Sequence, residues 1–527
     1  MNFIQAFGRR AAIGAIALAA TSTLPGTVLA DQVTLISADG TVNLVGDFID
    51  FKEDHYRIRT ALGDLRIAAS RVRCEGEACP SFGTVAADVR FAGSDTIGVG
   101  LMPLLLTGFA AEKDADASIR SGGNGDIVAE LVADSGYGDP IGSYVVSSSS
   151  SSEAFAALLQ NNAQIGMASR RILPAEARAL TGAGAGDMES ADQEHIVAVD
   201  SLVVITHPSN PVSTLTMDQL RAIYSGRITN WAQLGGRSAP IKVVNRAQGT
   251  ASRSVFENVV FGGRSASAGQ VIATDNNEMA SLVNEDPNAI GFVGFAFQRG
   301  AKPVTLVSEC GIAATPDAFA AKTEEYPLQR RLYLYNRADN LSPPARDFLQ
   351  FAMSEDADGV IAKSGFIDLG VVRKPQAIDG QRARALLTAR ADAEGGGLMR
   401  AMLSQMITYD RLSTTFRFRT GSSRLDERGQ IDLKRLVSYL GKQNGAEVIF
   451  VGFTDDVGAF DGNLNLSVAR ASSVLDEVRR LAGGQLDGVR MSATGYGEIA
   501  PTGCNESDLG RATNRRVEVW FKAPERG

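Results

Sequence analysis

The run Asn245-Arg246-Ala247-Gln248-Gly249-Thr250-Ala251-Ser252-Arg253 follows a strand-like stretch, Ile241 to Val244, and leads into the helical pattern Ser254 to Val260. It reads as strand, glycine-containing turn and helix, with hydroxyl residues in the first helical turn and an arginine on either side. A helix start leaves backbone N–H groups without intrahelical acceptors and carries the positive end of the macrodipole. Hydroxyls and guanidinium groups gathered there make a cradle for an oxyanion. An ordinary capped helix has the same local sequence, and this stretch alone does not separate the two readings.

The device recurs upstream. Phe91-Ala92-Gly93-Ser94-Asp95-Thr96 opens the apolar run Ile97 to Ala111, and the serines Ser147 to Ser152 open Glu153 to Leu159. A serine run taken alone also reads as a flexible linker. Together, Ser94, Thr96, Ser150, Ser151, Thr250 and Ser252, with Arg246 and Arg170, are expected to close on one tetrahedral anion. Hydroxyl and N–H donors need no ionisation, and two arginines offset a dianion without a metal or any other cofactor.

The elements that must position these residues alternate strand and amphipathic helix from Pro80 onward, which implies an α/β fold. The segment order, and above all Val199-Asp200-Ser201-Leu202-Val203-Val204-Ile205-Thr206-His207-Pro208-Ser209-Asn210-Pro211, Leu215 to Leu220 and Ile223 to Trp231, resembles the PstS-like phosphate-binding proteins of ABC importers over about residues 86 to 375. That resemblance implies a two-lobed type II periplasmic binding fold. It also implies that Arg246, Thr250 and Ser252 match the family's Arg, Ser and Thr, with Gly249 between them, Ala251 in place of a glycine and Gln248 in place of an acid. Gln164 to Arg171 resembles the family's second-strand exit, where the residue after Ser169 reaches the anion; here it is Arg170, where some members have an acid. The resemblance makes phosphate the expected anion, and telling hydrogen phosphate from sulfate needs an acceptor for the ligand's proton; with Arg170 and Gln248 where such acids stand in the family, Asp95 is the remaining candidate for it. Tyr326 to Tyr335 resembles a late core strand, its aromatics read as packing.

Residues 1 to 30 have the order of a secretory signal: Arg9-Arg10, the apolar run Ala11 to Ala20, and Val28-Leu29-Ala30 before Asp31. The apolar run is too short to span a bilayer and no later stretch is long enough. Loss of its two arginines takes the formal charge from -8 to -10, which argues against a nucleic-acid partner. Cys74 and Cys79, close together in an exported chain, are expected to form a disulfide, whereas Cys310 and Cys504 are either free or bridged across domains. His55, His195 and His207 show no metal-ligand spacing, and no second cysteine pair completes a metal site.

Residues 31 to 85 read as a small β module, built of short alternating runs at Val33 to Ser37, Val42 to Gly46, Tyr56 to Thr60 and Leu65 to Ala68. Residues 376 to 411, rich in Arg and Ala and broken by Gly395-Gly396-Gly397, read as a helical, glycine-rich linker. Residues 412 to 527 return to an α/β rhythm, in which Leu464, Val468, Ala471, Leu475, Val478 and Ala482 predict one buried helix face. The strand Glu447 to Phe453 delivers Thr454 and Asp455 at its carboxyl end, where α/β ligands sit, and Arg470 follows on the helix. A plain Asp455–Arg470 salt bridge is the alternative.

Gly452-Phe453-Thr454-Asp455, Asn463, Leu466 to Ala471, Gly495-Tyr496-Gly497-Glu498, Pro501 and Gly510 to Glu518 resemble the OmpA-like peptidoglycan-binding domain. The resemblance implies that Asp455 and Arg470 hold the amine and carboxylate of diaminopimelate, a zwitterion that demands one acid and one guanidinium. Asn514, Arg515 and Arg516 support that pocket by the same resemblance, although Arg515 or Arg516 equally suits a structural ion pair. The whole then reads as a multidomain α/β binding protein of the Gram-negative periplasm. It would capture phosphate or a related oxyanion, associate with peptidoglycan and the outer membrane, and have an ABC permease as a further partner. No reaction is expected. The rival reading is a structural or envelope-sensing protein whose cleft is empty or docks a protein; a serine hydrolase would need a G-x-S-x-G that is not present.

Overall fold

The computed structural model describes residues 32–524 except 38–42, 53–54, 62, 70–71, 77, 81–86, 124, 135–139, 249, 267–270, 379, 390–395, 419–424 and 426. The signal-like residues 1–30 and Gly249 of the anion-site set therefore lie outside the described residues.

The N-terminal module is a five-stranded antiparallel sheet in the order Gly63–Ala68, His55–Thr60, Asn43–Lys52, Gln32–Ser37, Val72–Glu75. Its core is small, centred on Val33, Leu35, Tyr56, Ile58 and Val72, so cross-linking matters more than in a larger domain. The fifth strand, which sequence alternation did not predict, carries Cys74, and the expected Cys74–Cys79 disulfide is present.

The central domain has two lobes strung on one 11-stranded sheet. In the first lobe, strand Val89–Ser94 lies between Ile165–Ala168 and Pro140–Ser149, parallel to both. Helices Met102–Glu112, Pro343–Ala352 and Glu355–Lys363 cover it through Leu105, Phe109, Phe348 and Ile361. In the second lobe, Lys242–Arg246 runs parallel to Val271–Ala273 and to Ala289–Gly294. Helices Met217–Tyr224 and Ala251–Phe261 pack over it around Tyr224, Trp231, Phe256 and Phe292. Strand Glu194–Thr206 belongs to both lobes: its first half pairs with Gln329–Asn336 and its second with Ala289–Gly294. The lobes meet where Asp200 stands opposite Arg330.

The C-terminal sheet runs Arg373–Pro375, Asp410–Arg417, Arg516–Lys522, Glu447–Phe453, Arg490–Gly495. Alternation along its strands sends Val448, Phe450, Val517 and Val519 to the face covered by helices Glu427–Gly441 and Phe460–Ala482. Ile449, Val451, Phe453 and Trp520 point to the other face. That face is covered by helices Gln381–Ala389 and Gly396–Met406 through Leu386, Met399, Met402, Leu403 and Met406. The stretch expected to be a linker is thus the second covering layer of this sheet, and residues 373–375 are its edge strand. Methionines and leucines in the arginine-rich run supply the apolar face that makes it so.

Helix Phe460–Ala482 also differs from its predicted face. Its second half buries Val474, Leu475, Val478 and Ala482 as periodicity requires, but its first half buries Asn463, Ser467 and Arg470 and leaves Val468 41% exposed. The cause is close approach: a Cβ on Gly452 would meet the Ser467 carbonyl oxygen at 1.9 Å, so the helix lies directly on the strand and its polar stripe faces the strand's end.

Candidate functional site

The ends of the parallel strands bring the first-lobe residues together. Ser94 and Ser149 are register partners, and the Ile165–Ala168 exit delivers Ser169 beside them. The serine run is no linker: Ser147 to Ser149 finish a strand, Ser150 caps the helix by accepting from Glu153 N–H at 3.3 Å, and Ser151 begins it. Buried Ser151 Oγ accepts the Ser169 N–H at 3.0 Å and lies 3.2 Å from Ser169 Oγ, which joins the second helix start to the neighbouring strand exit. Upstream, the apolar run is split into a single turn, Asp95–Gly98, and the helix Met102–Glu112. Asp95 accepts the Thr96 N–H at 2.7 Å. Ser94 makes no cap bond, and its hydroxyl is fully buried without a hydrogen-bond partner among the described residues.

In the second lobe Thr250 is the cap of Ala251–Phe261, accepting from Arg253 N–H at 3.4 Å and donating to the Ala247 carbonyl at 2.9 Å. Arg246 is 3% exposed and donates to the Thr274 carbonyl at 3.0 Å and the Asn276 side chain at 3.3 Å. Arg253 braces the turn, donating to the Arg246 carbonyl at 2.9 Å while paired with Glu257 at 2.8 Å.

One residue to which the sequence assigned no role joins the two lobes. Arg330, on the late core strand, pairs with buried Asp200 at 2.8 Å, and the same Nη2 lies 3.2 Å from Thr96 Oγ1 and 3.4 Å from Ser252 Oγ. Its Nη1 is buried with no hydrogen-bond partner among the described residues. Asp200 is held in turn by the backbone N–H groups of Ser201 and Phe295. The only sequence signal was a charge inside each of two largely apolar strands, Asp200 and Arg330, since charges in such runs are buried only when paired; nothing in the sequence matched the two to each other.

Arg170 departs from its expected role. Its guanidinium makes a two-pronged pair with Glu176 at 2.7 and 2.8 Å, donates to Ser152, and lies over the Phe155 ring. Its charge is therefore compensated locally, and Arg330 is the guanidinium that stands between the helix starts.

At the C-terminal domain, Asp455 is 6% exposed and its ion pair is with Arg515, at 2.7 Å. Arg470 is 1% exposed, beneath the Phe418 ring; burial lowers its pKa to about 10, against the favourable field of Asp455 and together with repulsion from Arg515. Thr454 Oγ1 is buried without a hydrogen-bond partner among the described residues, and Asn463 donates to Glu498 at 2.6 Å. One acid and two guanidinium groups therefore stand together at a strand end. Asn514 serves the backbone instead, accepting from Thr502 and Gly503 N–H at 2.8 and 2.9 Å and so pinning the loop that holds Cys504.

Cys504 bonds Cys310, which resolves the second cysteine pair as a bridge between the domains. Beside it a cavity of about 380 Å³ is lined by Phe319, Leu386, Met406 and Thr502. Its ionised lining groups satisfy one another or the adjacent core: Arg411 with Glu325, Lys374 with Asp317, Arg382 with Glu518. No helix among the described residues is long and apolar enough to cross a membrane.

Among curated proteins the chain is 29% identical over 184 residues to the phosphate-binding protein PstS of Bacillus subtilis, covering 34% of this chain and 60% of that protein. It is 34% identical over 113 residues to outer membrane porin F of Pseudomonas aeruginosa, covering 21% of this chain and 32% of the porin. The chain thus spans little more than half the length of the first of these relatives. Among solved structures, an ABC-type phosphate transport receptor from Vibrio cholerae is 24% identical and aligns over 53% of this chain and 99% of its own, with a TM-score of 0.40. The family model for the PBP superfamily domain matches residues 80–356, and that for the OmpA family matches residues 417–515. By the first match, which takes in more than half of its length, and by its PstS relatives, the chain belongs to the PBP superfamily on its PstS-like side and carries an OmpA family domain behind it.

Proposed function

We propose that this protein captures phosphate, or a similar tetrahedral oxyanion, between its lobes and is held non-covalently to peptidoglycan by its C-terminal domain, in the periplasm of a Gram-negative cell. The observation that supports capture most directly is the pair of buried donors, Ser94 Oγ and Arg330 Nη1, that lack acceptors among the described residues where the helix starts meet. Each such group costs about 1–3 kcal/mol if left unmet, more when charged, and an anion's oxygens satisfy both. Ser151, Ser169, Thr250, Ala251, Ser252 and Arg246 complete the proposed cradle, and Asp95 is the acceptor for a phosphate proton. The reading is of a binding protein rather than an enzyme, with an ABC permease as the partner that would receive the anion.

Calorimetry on ligand-stripped protein tests capture. Heat is expected on adding phosphate and little on adding sulfate, with Asp95→Asn admitting sulfate. Absence of heat with both anions would reject the oxyanion site, and equal binding of both would reject the role of Asp95.

The tether has its own test. Asp455→Ala removes the acid that the wall peptide's amine requires and leaves Arg470 and Arg515 as adjacent cations, a loss on the order of 2–5 kcal/mol in binding. Co-sedimentation with purified sacculi should fall to background while the circular dichroism spectrum is unchanged. Undiminished sedimentation would reduce Asp455 and Arg515 to a structural pair.

A further inference from the structure

The C-terminal domain is fastened to both lobes of the central domain, at places far apart in sequence. On the second lobe the fastening is covalent, through Cys310–Cys504, next to strand Thr305–Val307. Around it Arg411 pairs with Glu325 at 2.7 Å, Lys374 with Asp317 at 3.0 Å and Arg417 with Glu324 at 3.2 Å. On the first lobe it is mainly ionic, with Ile431 packed against the apolar cluster around Phe155 and Tyr335. Helix Glu427–Gly441 lies along helix Glu355–Lys363, with Arg435 on Asp358 at 2.5 Å and on the Met353 carbonyl at 3.1 Å, and Ser438 and Lys442 both reaching Glu355. Glu355–Lys363 belongs to the first-lobe core through Ala357 and Ile361, whereas Leu306 beside the disulfide belongs to the second-lobe core.

The lobes themselves are joined by few segments. Strands Glu194–Thr206 and Gln329–Asn336 cross between them, and Ile367 adds a bridge to Val199. Rotation about those crossings separates Thr96 from Ser252, which now share Arg330 Nη2. It also changes the distance between the two fastenings. A third body fixed at both ends opposes that rotation in proportion to the strength of its weaker end.

We propose that the OmpA family domain is a clamp that holds the two lobes at the closed setting seen here, and that breaking either fastening lets the lobes open. The proposal rests on the oxyanion reading only for its effect on affinity. An open population lowers apparent affinity by the fraction of closed molecules, so cutting the clamp weakens anion binding. Linkage is reciprocal: a bound anion makes the fastenings harder to break. The covalent end makes the device redox-sensitive, because reduction leaves only non-covalent contacts on the second lobe: the ion pairs and the packing of Arg411 and Lys374 on the Phe319 ring.

The experiment has a readout that needs no anion. Bioorthogonal spin labels are placed at Leu104 on the first lobe and Ile272 on the second, both exposed, in a Cys74→Ser/Cys79→Ser background so that only the interdomain bond responds to reductant. Pulsed electron-spin distance measurements are made on oxidised protein, on reduced protein, on reoxidised protein and on Arg435→Glu. One narrow distance is expected for oxidised and reoxidised protein, and a broader, shifted distribution for reduced protein and for Arg435→Glu. Identical distributions in all four would overturn the clamp. Phosphate titration of the same samples then reads the coupling, with affinity expected to fall about fivefold or more when either end is cut. Heat absent from every sample would reject the oxyanion reading and leave the distance result standing; heat with equal affinity in all would overturn the coupling.

Discussion

Glu518→Ala is expected to destabilise the folded protein by about 3–5 kcal/mol, the cost of leaving buried cations without their counter-charge. The Glu518 carboxylate is fully buried in the C-terminal sheet. Arg382 holds it with two bonds at 2.8 and 2.9 Å, Arg516 at 2.8 Å, Trp520 Nε1 at 2.9 Å, and Arg411 Nε lies 3.2 Å away. Burial alone would raise its pKa, but the guanidinium groups of Arg382, Arg411 and Arg516 outweigh burial and hold it well below the usual carboxylate range. A depressed folded pKa means that the stabilisation is fully present above the unfolded value, about 4.3, and is lost as pH falls through the folded one. Glu325, half-buried, follows the same sign: desolvation pushes it up, but the Arg411 guanidinium outweighs that and holds it below the usual carboxylate value. Urea unfolding of wild type and variant at neutral pH measures the difference, and a series toward pH 3 should show wild type losing stability faster than the variant. A variant within 1 kcal/mol of wild type, or parallel acid profiles, would show that the network stabilises little.

Arg330→Lys is expected to weaken phosphate binding by about a hundredfold, roughly 2.7 kcal/mol. Lysine keeps a positive charge beside Asp200, so that carboxylate is not left alone in the interior. It loses the planar fork that lets one side chain meet Asp200, Thr96 and Ser252 together and still present Nη1. Calorimetry alongside thermal melts separates the outcomes. Lost affinity with an unchanged melt assigns Arg330 to the anion; unchanged affinity would make it only the pin between lobes. Arg170→Ala, by contrast, should leave affinity within about twofold, because Glu176 already compensates that cation.

The division between what was legible and what was not follows the physics of the signals. Strand-to-helix turns announce themselves locally, through hydroxyl caps and glycine, so Ser151, Thr250 and Ser252 could be placed on helix starts without coordinates. The buried charge of Arg330 was hidden because its partner Asp200 lies 130 residues away and only the sheet brings them opposite each other. Arg170 shows the complementary limit: position along the chain located its backbone, while Glu176, six residues on, pairs with its charge. The same holds for residues 376 to 411, whose arginines and glycines suggested a helical, glycine-rich linker. Their Met399, Met402, Leu403 and Met406 form an apolar face only once a second sheet surface exists to receive it. In helix Phe460–Ala482, apolar period predicted the half that packs through Val474, Leu475 and Val478 and missed the half in which Asn463, Ser467 and Arg470 turn inward.

The pairing of the cysteines has a consequence for how such a chain is made. Cys74 joins Cys79 and Cys310 joins Cys504, so each bond links neighbours in the order of the four thiols along the chain. A chain delivered N-terminus first into an oxidising compartment would close its first pair before the third thiol arrives, and the third would then wait through 194 residues for its partner. Successive oxidation of thiols in order of arrival therefore yields the native pairs directly, with no wrong bond to undo. An oxidase would suffice for maturation and an isomerase would not be required.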